Sequence, residues 1–84
     1  MTKLLNKPEE ITVKTNVEGT PVSIVRKGKP EQVKGIYQRW RVADEWWRQE
    51  MARDYFRIRT SSGLVCDIYC DMASNRWYLS RIHD

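Results

Sequence analysis

"YFRIRTSSGLVCDIYCDMASNRWYLSRIHD", residues 55–84, is the stretch whose reading decides the fold. Side chains on a strand alternate between two faces with a period of two, and three segments here keep that period. Phe56 and Ile58 face one way while Tyr55, Arg57 and Arg59 face the other. Next, Cys66, Ile68 and Cys70 oppose Val65, Asp67, Tyr69 and Asp71, and then Trp77 and Leu79 oppose Arg76, Tyr78 and Ser80. Matching apolar face to apolar face pairs Ile58 with Cys66 and leaves Ser61, Ser62 and Gly63 as the first loop. A loop of this length closes on a left-handed residue, where glycine carries no Cβ penalty. The second hairpin then pairs Cys70 with Trp77 and Ile68 with Leu79, leaving residues 72–75 as its loop. Asn75 tolerates the left-handed conformation that this loop requires. The result is a three-stranded antiparallel meander.

The same register predicts the outer face. Arg57 falls opposite Asp67, Arg76 opposite Asp71, and Tyr55, Tyr69 and Tyr78 form a row across three strands. Cross-strand pairs of this kind contribute about 0.2–1 kcal/mol each. Aromatics interleaved with arginine also occur on surfaces that stack nucleic-acid bases. Here the acidic partners cancel much of the positive field, so the face reads as solvated and paired with itself.

Upstream, "EITVKT" (10–15), "PVSIVRKG" (21–28) and "KGIYQRWRV" (34–42) carry the β-branched and aromatic residues of strands. "NVEG" and "KGKPE" between them read as turns. Residues 1–9, with Pro8 and no sustained period, are expected to be a flexible leader to a single domain over residues 10–84. The fold class is therefore all-β and mainly antiparallel, about six strands in a small barrel or strongly bent sheet. An open sheet this short would leave one face wet and two edges exposed. Val13, Ile24, Ile36, Trp40, Phe56, Ile58, Cys66, Ile68, Trp77 and Leu79 are the expected inward set.

Eighty-four residues allow one core, and a chain of this size buries only about 60–65% of its unfolded surface. Four Trp, four Tyr and one Phe supply the bulk. No apolar run reaches the ~18 residues of a membrane-spanning helix, and a cytoplasmic location without membrane contact is the expectation. Cys66 and Cys70 on one strand would stand about 13 Å apart, beyond the ~7 Å reach of a disulfide. They read as buried, reduced, apolar-like thiols.

"ADEWWRQEMARDY", residues 43–55, joins the two halves. One or two helical turns around residues 44–52, capped by Asp44, or an ordered loop are both compatible with it. Adjacent residues diverge on a helix and oppose each other on a strand. One of Trp46 and Trp47 can thus close the core while the other lies at its rim. Trp and Arg dominate interface hot spots, which makes Trp46, Trp47, Arg48 and Arg53 the candidate partner-binding residues.

The net charge of +4 is unevenly spread. Residues 26–59 hold ten Lys/Arg against five Asp/Glu, whereas residues 60–84 hold two against three. Arg26, Lys27, Lys29, Lys34, Arg39 and Arg41 are accordingly the candidates for contacting a phosphate backbone, DNA included. Arg39 and Arg41 flank Trp40, so an inward Trp40 would turn both outward. His83 is the sole histidine. There is no glycine-rich phosphate loop, metal-ligand spacing or recognisable acid–base pair. The expectation is a non-enzymatic domain without cofactor, metal or small-molecule substrate. A purely structural partner domain, dimeric or not, is the plainest alternative.

Four elements in order carry a resemblance: Glu45-Trp46-Trp47-Arg48, then Arg53-Asp54-Tyr55-Phe56-Arg57-Ile58, then Gly63, then Arg76-Trp77-Tyr78-Leu79. Over residues 35–84 the chain resembles the C-terminal segment of ImuB-type proteins. Those are catalytically inactive relatives of Y-family DNA polymerases and accessory subunits of bacterial damage-induced mutagenic polymerase complexes. It is also similar to small stand-alone bacterial proteins carrying this domain. The resemblance implies a bacterial accessory role in DNA repair, translesion synthesis and the SOS response, with a repair polymerase or accessory protein as partner. It implies no polymerase activity.

Overall fold

The computed structural model describes residues 2–46 and 49–83, with side chains described over residues 7–43 and 52–83. Six strands follow one another: β1 Thr2–Thr15, β2 Pro21–Arg26, β3 Lys29–Trp46, β4 Gln49–Thr60, β5 Val65–Asp71 and β6 Arg76–His83. Each pairs antiparallel with the next, and β6 returns to β1, closing a barrel. Closure is the physical answer to a chain too short to cover an open sheet.

The C-terminal meander has the register that alternation dictates. Ile58 stands opposite Cys66, Ile68 opposite Leu79, and Cys70 opposite Trp77. The Thr60 amide donates to the Leu64 carbonyl (2.8 Å) around the loop at residues 61–63. Gly63 (φ 89°) and Asn75 (φ 58°) take up the left-handed conformations. A bulge between Asp67 and Ile68, which the period does not reveal, moves Asp67 opposite Arg81.

Two long strands bend so that each serves two neighbours. The first part of β1 pairs with β6, and residues 12–15 pair with β2. Residues 2–9, expected as a leader, lie in β1, where Thr2 stands opposite His83. Pro8, which has no amide hydrogen to give a ladder, falls inside the register break between Leu4 and Glu9. β3 pairs with β2 only from Lys29 to Gln32, then with β4 from Val33 to Trp46.

Ile11, Ile24, Phe56, Ile58, Cys66, Ile68 and Leu79 form the core, with Val13, Val33, Leu64, Trp77 and Ile82 packed against it. Two expected inward residues are corrected. β3 carries register breaks between Val33 and Gly35 and between Ile36 and Gln38. Each inserts one residue and exchanges the faces beyond it; the two together cancel, but only the second lies between Ile36 and Trp40. Trp40 consequently stands opposite Tyr55 on the outer face, while Arg39 stands opposite Phe56 and Arg41 opposite Asp54. The two arginines expected outward are on the inner side, at the barrel mouth. Ile36 faces Ile58 but, beside the break and with no described strand on its other side, stays 39% exposed.

The helical turns or loop expected around residues 44–52 are also corrected. Asp44 stands opposite Met51, Glu45 opposite Glu50 and Trp46 opposite Gln49, so the described part of this segment is a β-ribbon.

Candidate interaction surface

Three local arrangements surround the barrel's long hairpin. The first is the end of the hairpin itself. β5 stops pairing with β4 at Arg53–Asp71, and one further bond runs from the Met72 amide to the Ala52 carbonyl (3.0 Å). Beyond that, β3 and β4 have only each other among the described residues. A two-stranded ribbon alone is marginally stable in water, so this arm gains from any surface it docks on. Trp46 lies at its last described pair. The Trp46 side chain, Trp47 and Arg48 lie outside the described residues. Arg53, the fourth residue of that candidate set, is at the arm's base. Its guanidinium covers the Tyr69 ring at 4.7 Å, and its Nη1 donates to the Tyr55 hydroxyl at 3.4 Å.

The second arrangement is an aromatic row on the outer face. Trp40 stacks on Tyr55 (centroids 5.2 Å), Tyr55 meets Tyr69 (5.0 Å), and Tyr69 meets Tyr78 (5.3 Å). Arg57 bonds Asp67 through Nε (2.9 Å) and Nη2 (3.4 Å), and its guanidinium lies 5.7 Å from the Trp40 centroid. His83 Nε2 approaches the same Asp67 oxygen to 3.0 Å. The centre of this face is less solvated than expected, since Asp67 and Tyr69 are each only 4% exposed, while Arg59 and Arg76 are exposed. Burial pushes the Asp67 carboxyl up, but the bonds from Arg57 and His83 outweigh it and hold the group below the ordinary carboxylate range. Burial also raises Tyr69. The ring faces of Tyr55 and Tyr69 meet their neighbours in the row, and Arg53 covers Tyr69.

The third is the barrel mouth, an open cavity of about 580 Å³. Ile11, Val13, Phe56 and Trp77 give it an apolar floor, and Arg39, Asp54 and Arg76 line its rim. Asp54 receives Arg41 Nε at 2.8 Å and Arg39 Nη2 at 3.4 Å. The bond from Arg41 holds its carboxyl below the ordinary value against the opposing effect of burial. The Arg39 guanidinium also lies 5.1 Å from the Phe56 centroid.

Three of the six phosphate-contact candidates are paired with acidic side chains. Arg26 is bound to Glu9 (3.1 Å), Arg39 and Arg41 share Asp54, and Lys34 Nζ donates to Gln32 (3.0 Å). Lys27 and Lys29 are exposed at the β2–β3 turn. What residue spacing missed is the apolar exposure along β3: Ile36, Tyr37 (60%) and Val42 (42%). Gly35 was its available signal, since an isolated glycine inside a strand marks a bulge.

Among the described residues there is no group of three or more His, Cys, Asp or Glu side chains able to hold a metal ion. No curated protein and no solved structure matches the chain significantly. A family model does match, over residues 5–84, and the chain belongs to that family, described as a domain of unknown function (DUF6504).

Proposed function

We propose that this domain is a non-enzymatic accessory module that docks a partner protein in a bacterial DNA-repair or lesion-bypass assembly. The observation that supports the docking part is the β3–β4 ribbon, which outruns its neighbours and carries Trp46 at its last described pair. Unsupported ribbons are marginal, and paired tryptophans beside arginine are the composition of interface anchors. The repair context rests on the resemblance of residues 35–84 to the terminal segment of ImuB-type accessory subunits.

The test is affinity capture from bacteria treated with a DNA-damaging agent, using the full chain and a Trp46→Ala/Trp47→Ala double variant. The wild-type chain is expected to retain a replication or repair protein that the variant loses. Capture of no such protein by either chain would sink the reading.

Direct nucleic-acid binding is the second reading, supported by the exposed Lys27 and Lys29 of the β2–β3 turn. Binding through phosphates weakens steeply as salt rises. The absence of any complex with single-stranded or duplex DNA at low salt would remove it.

A further inference from the structure

Past Gln32, β3 has β4 on one side and no described strand on the other. β2 begins at Pro21, so no described strand continues the ladder beside residues 35–43. A strand in this position presents a row of amide and carbonyl groups that water alone satisfies. Natural edges are blunted by proline, inward charges or shortness. This one is long, has no proline between residues 31 and 46 and exposes Ile36, Tyr37 and Val42; what blunts it is the inward pair Arg39 and Arg41 and the two register breaks.

Its charge is one-sided. Between Glu31 and Asp44 the strand carries Lys34, Arg39 and Arg41 and no acidic residue. Arg59, opposite Gly35, is a fourth exposed cation. Asp54 answers both Arg39 and Arg41, so one carboxylate serves two guanidiniums. The rim of the mouth cavity begins at Arg39, which places an apolar recess beside the edge.

We infer that the free edge of β3, over residues 35–43, accepts an extended, acidic segment of a partner protein as an added strand. This rests on the protein-docking reading above and names the surface and the chemistry of the occupant. An added strand satisfies the main-chain row, and its alternate side chains supply specificity. Acidic side chains on the inner face of the segment meet Arg39 and Arg41, while the alternating apolar side chains on its outer face cover Val42. A second copy of this chain fits poorly, because antiparallel pairing of two β3 edges about Trp40 sets Arg39 against Arg41, and like charges directly opposite are destabilising. A nucleic acid could meet the cations but has no amide row to complete the ladder.

The experiment is an NMR titration of the isotopically labelled full chain with a short end-capped peptide alternating Glu and Val. The expected result is perturbation and slowed hydrogen exchange of amides within residues 35–43. The same peptide with Lys for Glu should bind about tenfold more weakly or worse. A backbone N-methylated Glu/Val peptide keeps the side chains but cannot pair, and should give no protection. The inference is overturned by no response of β3 to the acidic peptide, by equal binding of the N-methylated form, or by stronger binding of a short oligothymidylate at the same amides. Self-association protecting those amides would do the same. The Trp46→Ala/Trp47→Ala variant should keep the peptide response. Failure at the edge is thus separable from failure of the arm, and lost cellular capture with intact peptide binding condemns only the repair assignment.

Discussion

Trp40 lies flat against Tyr55, with ring centroids 5.2 Å apart and planes 9° from parallel. The contact fixes the tryptophan on the outside of the barrel, at the end of a row that continues through Tyr69 and Tyr78. Removing it therefore ends a stack without opening a core cavity. An aromatic pair adds about 0.5–1.5 kcal/mol, and an exposed arginine over a ring about 0.5–1 kcal/mol. Trp40→Ala should cost about 1–2 kcal/mol on these terms. Phe56→Ala, in the fully enclosed core, should cost about 3–5 kcal/mol. Urea denaturation of both variants checks the order, and equal losses would contradict the outward placement.

The β2–β3 turn holds a removable strain. Lys27 (φ 52°) and Gly28 (φ 77°) both occupy the left-handed region between Arg26 and its partner Lys29. Two-residue hairpins need this twist, and Asn-Gly supplies it with least resistance. A side chain bearing Cβ costs roughly 1–2 kcal/mol there, and asparagine recovers part of that through local hydrogen bonds. Lys27→Asn should raise stability by about 0.5 kcal/mol, while the β-branched Lys27→Val should lower it. Thermal melts of the two variants in the opposite order would refute the turn geometry.

Residues 55–84 were legible because two faces of contrasting polarity and two short loops agree on one register. Ile58–Cys66 and Cys70–Trp77 both follow from that agreement. β3 was not legible by the same means. Its alternation looks continuous from Ile36 to Trp40, yet one extra residue between Ile36 and Gln38 exchanges the faces within that span. Period-two reasoning contains no term for an inserted residue, and Gly35 marks only the neighbouring break, between Val33 and Gly35. The candidate site suffered for the same reason, since Arg39 and Arg41 were assigned to the outside on the strength of an inward Trp40. "DEWW" failed differently. Its charges and adjacent tryptophans suit a capped turn locally, but the ladder from Val42–Arg53 to Trp46–Gln49 continues a strand pair already nucleated by the barrel. Tertiary context overrode local propensity.

Both cysteines are free and buried, and burial decides their reactivity. It pushes the Cys66 thiol up to about 12, with the Asp67 charge adding to the effect. Cys70 is raised as well, again first by burial, but it lines the open mouth. The thiolate is the reactive form, so a disulfide reagent at mildly alkaline pH should modify the native chain slowly, and Cys70 before Cys66. In denaturant both thiols should react at once. Rapid native modification of Cys66 would mean that the β4–β5–β6 core opens far more readily than its packing implies.

Asp54 and Asp67 both sit below their ordinary range because bonds from basic side chains outweigh burial, but the consequences differ. A carboxyl whose folded pKa lies below its unfolded value near 3.9 binds protons more readily when unfolded. Its stabilising effect is complete above about pH 4 and is lost as pH falls through the lower folded value. At Asp54 the partners are half-exposed arginines, and solvent screening limits an Asp54→Asn loss to about 0.5–1 kcal/mol. Asp67 is enclosed with Arg57 and His83, and an amide there leaves Arg57 short of its charged acceptor. Asp67→Asn should cost about 2 kcal/mol at neutral pH. The same variant should show a shallower decline than wild type between pH 4 and lower values, because one of the protons that drives acid unfolding is gone. Denaturation midpoints measured across that range decide the matter: parallel acid slopes for the wild type and Asp67→Asn would show that the carboxyl is not depressed in the fold.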